Sequence, residues 1–374
     1  MPWKENTLMS CRHEFVLLAR QPGTVMRELC RHYDISAKTG YKWLERYERE
    51  GQAGLTNRSR RPLHSPRHTT AKMEARILVL HRRYPYWGPR KLRALLDDPA
   101  APQPSTIAAI LRRHGCHVAG ATPSTPATQR FEQPAPNLLW QMDFKGHFAL
   151  SLHGHCHPFT LLDDHSRFML RLQACTNERS ATAQTQLIEA FRRYGLPDRI
   201  TADNGPAWAV TRGIGITALE AWLMRVGVTL SHSRPHHPQT QGKLERLHRT
   251  LEREVVQACR YASLAACQQA MDQWRDQYNC LRPHEALGLR PPISRYRHSV
   301  RAYPTRLPPI VYDEGMHVLK VRRNGQIVYR GRTIFVSEGL VGLPVAIRPS
   351  ILDGRMEVVF MHRIVQHIDL RLPR

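Results

Sequence analysis

Three acids in three distinct settings limit what this chain can become. Asp143 stands within Trp140-Gln141-Met142-Asp143-Phe144, an apolar run that reads as a central strand. Asp203 stands in Thr201-Ala202-Asp203-Asn204-Gly205, at a strand end before a tight turn, and Glu245 in Gln241-Gly242-Lys243-Leu244-Glu245-Arg246, on a helix. A lone carboxylate among apolar neighbours is costly unless it meets a cation or another partner. Acids fixed on separate rigid elements supply the oxygen ligands that a hard divalent ion wants, leaving positions for water and phosphate. Two such ions can clamp an in-line displacement at phosphorus. The fold must then bring two strands and a helix to one point.

Charge narrows the partner. Lys and Arg total 55 against 31 acids, a net charge of +24. Residues 1–136 carry 23 basic and 11 acidic side chains, residues 137–299 carry 20 and 14, and residues 300–374 carry 12 and 6. Every segment is basic, which suits a polyanion such as double-stranded DNA lying across several domains. A length of 374 residues allows two or three cores. The eight cysteines form no Cys-x-x-Cys pair, so a structural zinc site is not expected and free thiols in a reducing cytosol are. His153, His155, Cys156 and His157 resemble soft-metal ligands but fall in one hairpin turn without a second ligand pair. No signal peptide or long apolar run is read, so no membrane partner is expected.

Residues 1–62 read as a helix-turn-helix domain with a basic tail. A helix over Val25–His32 and a turn at Tyr33-Asp34-Ile35 lead to Ser36, an N-cap for a helix from Ala37 to about Glu50. Lys38, Thr39 and Lys42 then face a major groove, and Arg58, Arg60 and Arg61 of the tail meet phosphates or a minor groove. Residues 63–118 read as a second such domain, with helices over Ala71–Arg83, from Pro89 to Leu96 and over Ser105–His114; Arg90 and Lys91 are its DNA candidates. The Pro-, Thr- and Ala-rich stretch 119–136 is a linker.

Residues 137–299 show three antiparallel strands (Leu138–Leu150, His157–Asp164, Phe168–Ala174), then alternating helix and strand, the element order of an α/β RNase H-like core. Its later elements are a helix over Ser180–Tyr194, a strand over Arg199–Ala202, a helix over Thr217–Val226, a strand over Val228–Ser231 and helices over Thr240–Ala258 and Leu264–Tyr278. On the first of those last two helices, Lys243, Arg246 and Arg249 lie beside Glu245 as phosphate contacts. Asp163 and Asp164 read as a turn or ion pair. Glu252 and Glu254 are rival glutamates that lack the local context of Glu245. In residues 300–374, Asn324-Gly325 between His317–Val321 and Ile327–Arg330 signals a hairpin, and the short strands that follow suggest a small β-barrel.

With these residues in view, the chain resembles an insertion-sequence transposase of the DDE type with a retroviral-integrase-like catalytic core. The resemblance rests on Trp140-Gln141-Met142-Asp143, Leu162-Asp163-Asp164-His165-Ser166-Arg167 and Asp203-Asn204-Gly205-Pro206. It continues through Gln241–Leu251, Tyr278-Asn279, Arg282-Pro283-His284 and Leu287, and reaches Gly54-Leu55 and Arg58–Pro62 near the start. It implies that Asp143, Asp203 and Glu245 are the catalytic, metal-binding triad, holding two Mg²⁺ (or Mn²⁺) ions. It also implies terminal inverted repeats and target DNA as partners, an oligomer that pairs two ends, and a bacterial, nucleoid-associated location in the cytoplasm. A catalytically silent DNA-binding regulator and a plain metal-dependent nuclease are the alternatives. One departure is that Glu245 lies 42 positions after Asp203 (245 − 203), a wider gap than in many relatives, with the excess assigned to Ala209–Ile216.

Overall fold

The computed structural model describes residues 8–58, 68–116, 132–205, 207–208, 215–232 and 242–371. Arg60, Arg61, most of the expected linker, His236–Pro238 and residues 209–214 lie outside the described residues. The chain divides into two compact units, Met1–His68 and Thr69–Arg374. No helix among the described residues is long and apolar enough to cross a membrane.

The first unit holds α1 (Leu8–Ala19), α2 (Met26–His32) and α3 (Ala37–Glu50), followed by a 3₁₀ turn over Gly51–Leu55. Ser36 caps α3 as its sequence predicts, accepting a hydrogen bond from the Thr39 N–H at 3.2 Å. Asp34, in the turn between α2 and α3, has φ +50°, a left-handed conformation that a short polar side chain tolerates. Phe15, Val16, Cys30, Trp43 and Leu55 form the core. Gly40 lets α3 close onto it, because a Cβ there would stand 2.6 Å from Cys30 Sγ and 2.9 Å from Phe15 Cζ.

The second unit opens with α4 (Ala71–Arg83), α5 (Pro89–Leu96) and α6 (Pro104–Arg113). Thr70 caps α4, Pro89 begins α5, and Gly115 with φ +67° ends the trio. Ile77, Trp87, Leu92, Ile107 and Leu111 are fully buried among these helices.

The central domain is built on β1 (Leu139–Phe144), β2 (Phe148–Ala149), β3 (His155–Asp163) and β4 (Met169–Cys175). Then come α7 (Ser180–Tyr194), β5 (Arg199–Ala202), α8 (Ala218–Arg225), β6 (Thr229–His232), α9 (Gly242–Leu251) and α10 (Leu264–Cys280). Strands run in the order β4-β3-β1-β5-β6, with β4, β3 and β1 antiparallel and β5 and β6 parallel to β1. This is the mixed sheet of an RNase H-like core. Alternation sends Trp140, Met142 and Phe144 to a face covered by α7 and α8. The opposite face carries Leu162, Met169 and Leu172 against Leu244, Leu247 and Leu251 of α9 and Met271 and Trp274 of α10.

Two central elements differ from expectation. The strand expected over Leu138–Leu150 breaks after Phe144, where Gly146 adopts φ +89° and turns the chain before β2. The helix expected to run to Ala258 ends as an α-helix at Leu251 and continues as one π-helical turn, Glu252–Val256.

The C-terminal strands are β7 (His317–Lys320), β8 (Gln326–Tyr329), β9 (Arg332–Phe335), β10 (Pro344–Pro349), β11 (Arg355–Phe360) and β12 (Arg363–Asp369). They pair as a four-stranded sheet, β12-β11-β10-β7, and a separate β8-β9 hairpin, rather than as one closed barrel ladder. Asn324-Gly325 makes a tight turn, with the Gly325 N–H donating to the Arg322 carbonyl at 3.0 Å. The strands it separates do not pair with each other, because β7 takes β10 as its neighbour. The two-residue hairpin turn lies at Arg330 (φ +49°) and Gly331 (φ +75°), the paired left-handed geometry that suits strand twist. One apolar cluster joins this sheet to the central domain, with Ile216, Ala221 and Met224 packed among Val336, Leu340, Val345 and Phe360.

Candidate active site

Strand register brings the first two acids together. Leu139 pairs with Arg199 and Gln141 with Thr201 in the parallel β1–β5 ladder; the same offset links Asp143 to Asp203, so both carboxylates leave one sheet end on one face. Adjacent strands are about 4.8 Å apart. With Met142 and Phe144 directed under α7 and α8, Asp143 faces α9. Asp203 closes a turn through its own side chain, accepting from the Gly205 N–H at 2.9 Å. A Cβ on residue 205 would crowd that carboxylate at 2.9 Å.

Glu245 arrives from the other side. Leu244, Leu247 and Leu251 bury one stripe of α9 on the sheet, leaving Glu245, Arg246 and Arg249 exposed. One turn beyond Glu245, His248 places Nδ1 3.8 Å from Asp143 Oδ2. Its Nε2 lies 2.8 Å from Thr160 Oγ1, which donates to the Asp143 carbonyl at 3.0 Å. His248 thereby ties α9 to β1 and β3. Burial and the neighbouring Lys145 ammonium depress the His248 imidazole to about 4, so it is neutral near pH 7.

The electrostatics agree with the geometry. Burial and then the charge of Asp203 push the Asp143 carboxyl up to about 7, with Glu178 and Glu245 adding to the push and the Phe144 N–H opposing it. Glu178 and His248 escaped the sequence reading. Glu178 lies in an ordinary polar loop before α7, with no local signal of a shared site. His248 had a signal in its spacing, three residues after Glu245 on a helix.

The other acids have structural partners. Asp163 accepts from the Ser166 N–H (2.7 Å) and hydroxyl (2.5 Å) and from the Asn137 N–H (2.8 Å). Asp164 accepts from Gln141 Nε2 at 2.8 Å and pairs with Lys243. Glu254 forms a buried ion pair with Arg282 at 2.7 Å and accepts from Trp274 Nε1 at 2.9 Å. Glu252 pairs with Lys145. The downstream signature is likewise structural: Asn279 accepts from the Met169 N–H at 2.8 Å and donates to the Met169 carbonyl at 3.0 Å, clasping α10 to β4.

The expected DNA contacts divide. Lys38, Lys42, Arg58, Arg90, Arg246 and Arg249 are exposed, and Thr39 is half-buried beside Ser36. Arg58 pairs with Glu50. Two lysines are turned inward rather than presented outward. Lys243 is spent on buried Asp164, and Lys91 sits among Arg282, Glu254, Glu285 and Arg253, with burial and then Arg282 lowering its ammonium to about 8. The same region fixes α4–α6 to the central domain: Arg282 lies over the Trp87 ring at 5.6 Å, and Arg253 donates to the Tyr86 carbonyl at 3.3 Å.

Comparison with known proteins adds independent matches. Residues 133–238 and 226–292 match integrase core domains, residues 12–62 a helix-turn-helix domain, residues 39–111 a homeodomain-like domain, and residues 316–373 the C-terminal domain of IS481 family transposases. An insertion element IS407 uncharacterized protein of Burkholderia multivorans is 26% identical, the match covering 64% of this chain and 86% of that one. The Gag-Pol polyprotein of baboon endogenous virus is 28% identical over 192 residues, 49% of this chain, which spans only 10% of the polyprotein. Among solved structures, the HTLV-2 integrase catalytic core domain in complex with magnesium aligns with TM-score 0.35 and 17% identity, covering 44% of this chain and 99% of that one.

Proposed function

We propose that this chain, an insertion-sequence transposase with an integrase-like core, binds the terminal inverted repeats of its element, cleaves the element ends and joins each 3′-hydroxyl to target DNA. The observation that carries this reading is the β1–β5 register that sets Asp203 beside Asp143, with α9 delivering Glu245 to the same sheet end. Asp143, Asp203 and Glu245 are the proposed catalytic carboxylates.

Two Mg²⁺ or Mn²⁺ ions fit this donor set. The charges of Asp203 and Glu245 both act on Asp143, although the three carboxylates do not all lie within 4.8 Å of one another. Asp143 is held up to about 7 by burial and these like charges, a repulsion that divalent cations relieve. When bound, such ions activate the attacking oxygen and stabilise the leaving oxygen of an in-line displacement at phosphorus.

The chain's own groups do the positioning. Water is the first nucleophile and yields a 3′-hydroxyl; that hydroxyl attacks a target phosphodiester in one transesterification, displacing a 3′-oxygen without a covalent enzyme intermediate. Arg246 and Arg249, exposed on α9 near Glu245, hold flanking phosphates. Neutral His248 braces the Asp143 backbone from α9 through the Thr160 hydroxyl, which lies 2.8 Å from His248 Nε2 and donates to the Asp143 carbonyl. Lys38 and Lys42 of α3 read the terminal repeat from the major groove. Pairing of two ends calls for an oligomer, at the nucleoid in a bacterial cytoplasm.

The test is strand transfer with terminal-repeat DNA and Mg²⁺. Asp143→Asn, Asp203→Asn and Glu245→Gln should each abolish joining while gel-shift binding of the ends persists. Joining that survives these changes would refute the assignment.

A further inference from the structure

Outside the acid triad, one cluster of side chains has the composition of a transition-metal site. His147 follows the Gly146 turn after β1, His157 lies on β3, and Glu178 lies just before α7. One ligand atom from each lies within 4.8 Å of the other two. His157 Nδ1 is 3.0 Å from Glu178 Oε1, and the two imidazole rings are 5.2 Å apart between centroids. Donors bound about 2.1 Å from a common ion sit roughly 3 to 3.5 Å from one another, so the His157–Glu178 spacing already matches. His147 is exposed, with its ligand atom within 4.8 Å of the other two.

We propose that His147, His157 and Glu178 bind a borderline divalent transition ion, with zinc the leading candidate, at a site that adjoins the carboxylate triad but shares none of its ligands. Two imidazoles and one carboxylate suit such an ion, whereas an all-oxygen set suits magnesium. Three ligands leave positions open to solvent. The ion would add a side-chain clasp to segments that the sheet already sets side by side, since Phe148 pairs with Cys156 and His157 with Cys175, three residues before Glu178. The His153–His157 turn holds no second ligand pair of its own. The partners of His157 instead come from the neighbouring strand ends, while Cys156 points to the opposite face, with its sulfur 3.7 Å from that of Cys267.

The probe is Co²⁺ added to the full-length protein under reducing conditions, followed by visible ligand-field absorption, with thermal melting in Zn²⁺ as a second readout. The expected result is one equivalent of bands without an intense thiolate charge-transfer feature. These bands should persist in the D143N/D203N/E245Q protein and be lost in both H147A and H157A. Because His147 is exposed, H147A keeps the test valid if H157A fails to fold. The Zn²⁺-dependent rise in melting temperature should disappear with the bands. No absorption, bands that persist in H147A, a thiolate feature from exposed Cys259 or Cys280, or loss in the triad variant would each overturn the proposal. The last outcome alone would place the ion at the triad, so failure here is distinguishable from failure of the proposed active site.

Discussion

Replacing Asp143 with asparagine should stabilise the metal-free protein, and the gain should grow with pH. The carboxyl is raised from 3.8 to about 7 in the folded chain, burial being the main cause. The folded state therefore holds the proton more tightly than the unfolded chain. Its favourable contribution is complete below pH 3.8 and is lost as pH rises to about 7. About three pH units at 1.36 kcal/mol each gives a cost of about 4 kcal/mol above pH 7. The side chain is 23% exposed, so little of that is screened away. Between pH 5 and pH 8 the stability of Asp143→Asn relative to wild type should rise by roughly 3 kcal/mol. Urea unfolding in EDTA reads this through the fluorescence of Trp140 and Trp208, both buried in the same core cluster. Mg²⁺ at pH 8 should then stabilise wild type and leave the variant nearly unmoved. A stability difference between the two proteins that does not change with pH would refute the claim that Asp143 is strained by burial and like charge.

Three further outcomes test the frame around the site. Arg282→Ala should cost about 3 to 5 kcal/mol by leaving Glu254 charged and buried, measured by urea denaturation. Asn279→Ala removes both hydrogen bonds to Met169 and should cost about 1 to 3 kcal/mol, with hydrogen exchange accelerated first at β4. Gly40→Ala should destabilise the N-terminal unit by about 1 to 3 kcal/mol through overpacking against Cys30 and Phe15; calorimetry should show its transition shifted while that of the central domain stays put.

Legibility from sequence followed the range of the interactions. Ser36 and Pro89 act within one helical turn, and their helices begin where those residues indicate. The strand over Arg199–Ala202 was readable because burial and Asp203 bound it closely. The strand break at Gly146 was not, since alternation continues through Phe148 and only the φ of one glycine interrupts it. The Asn324-Gly325 signal reported a real turn but could not say that β7 prefers β10, a choice made by packing across the C-terminal core. At the site, acids with apolar neighbours stood out. Lys91 and Lys243 did not announce that they turn inward, because the groups around them, Arg282 and Glu254 near Lys91 and Asp164 paired with Lys243, are distant in sequence. Glu178 was hidden for the same reason.

The wide interval between Asp203 and Glu245 can be judged by its moorings. Just after Asp203, Trp208 is buried and stacks on Phe144, with ring centroids 5.7 Å apart, next to Asp143 itself. The chain is fastened again at Ile216, whose carbonyl accepts from the Ser337 hydroxyl at 2.6 Å and whose N–H donates to the same oxygen at 3.2 Å. Any surplus residues between those two points are offset by fixed stations on either side. Lengthening or trimming them would leave the position of Glu245 to α8, β6 and the leucine stripe of α9. The number of residues between Asp203 and Glu245 then carries little information about the distance between these two proposed ligands.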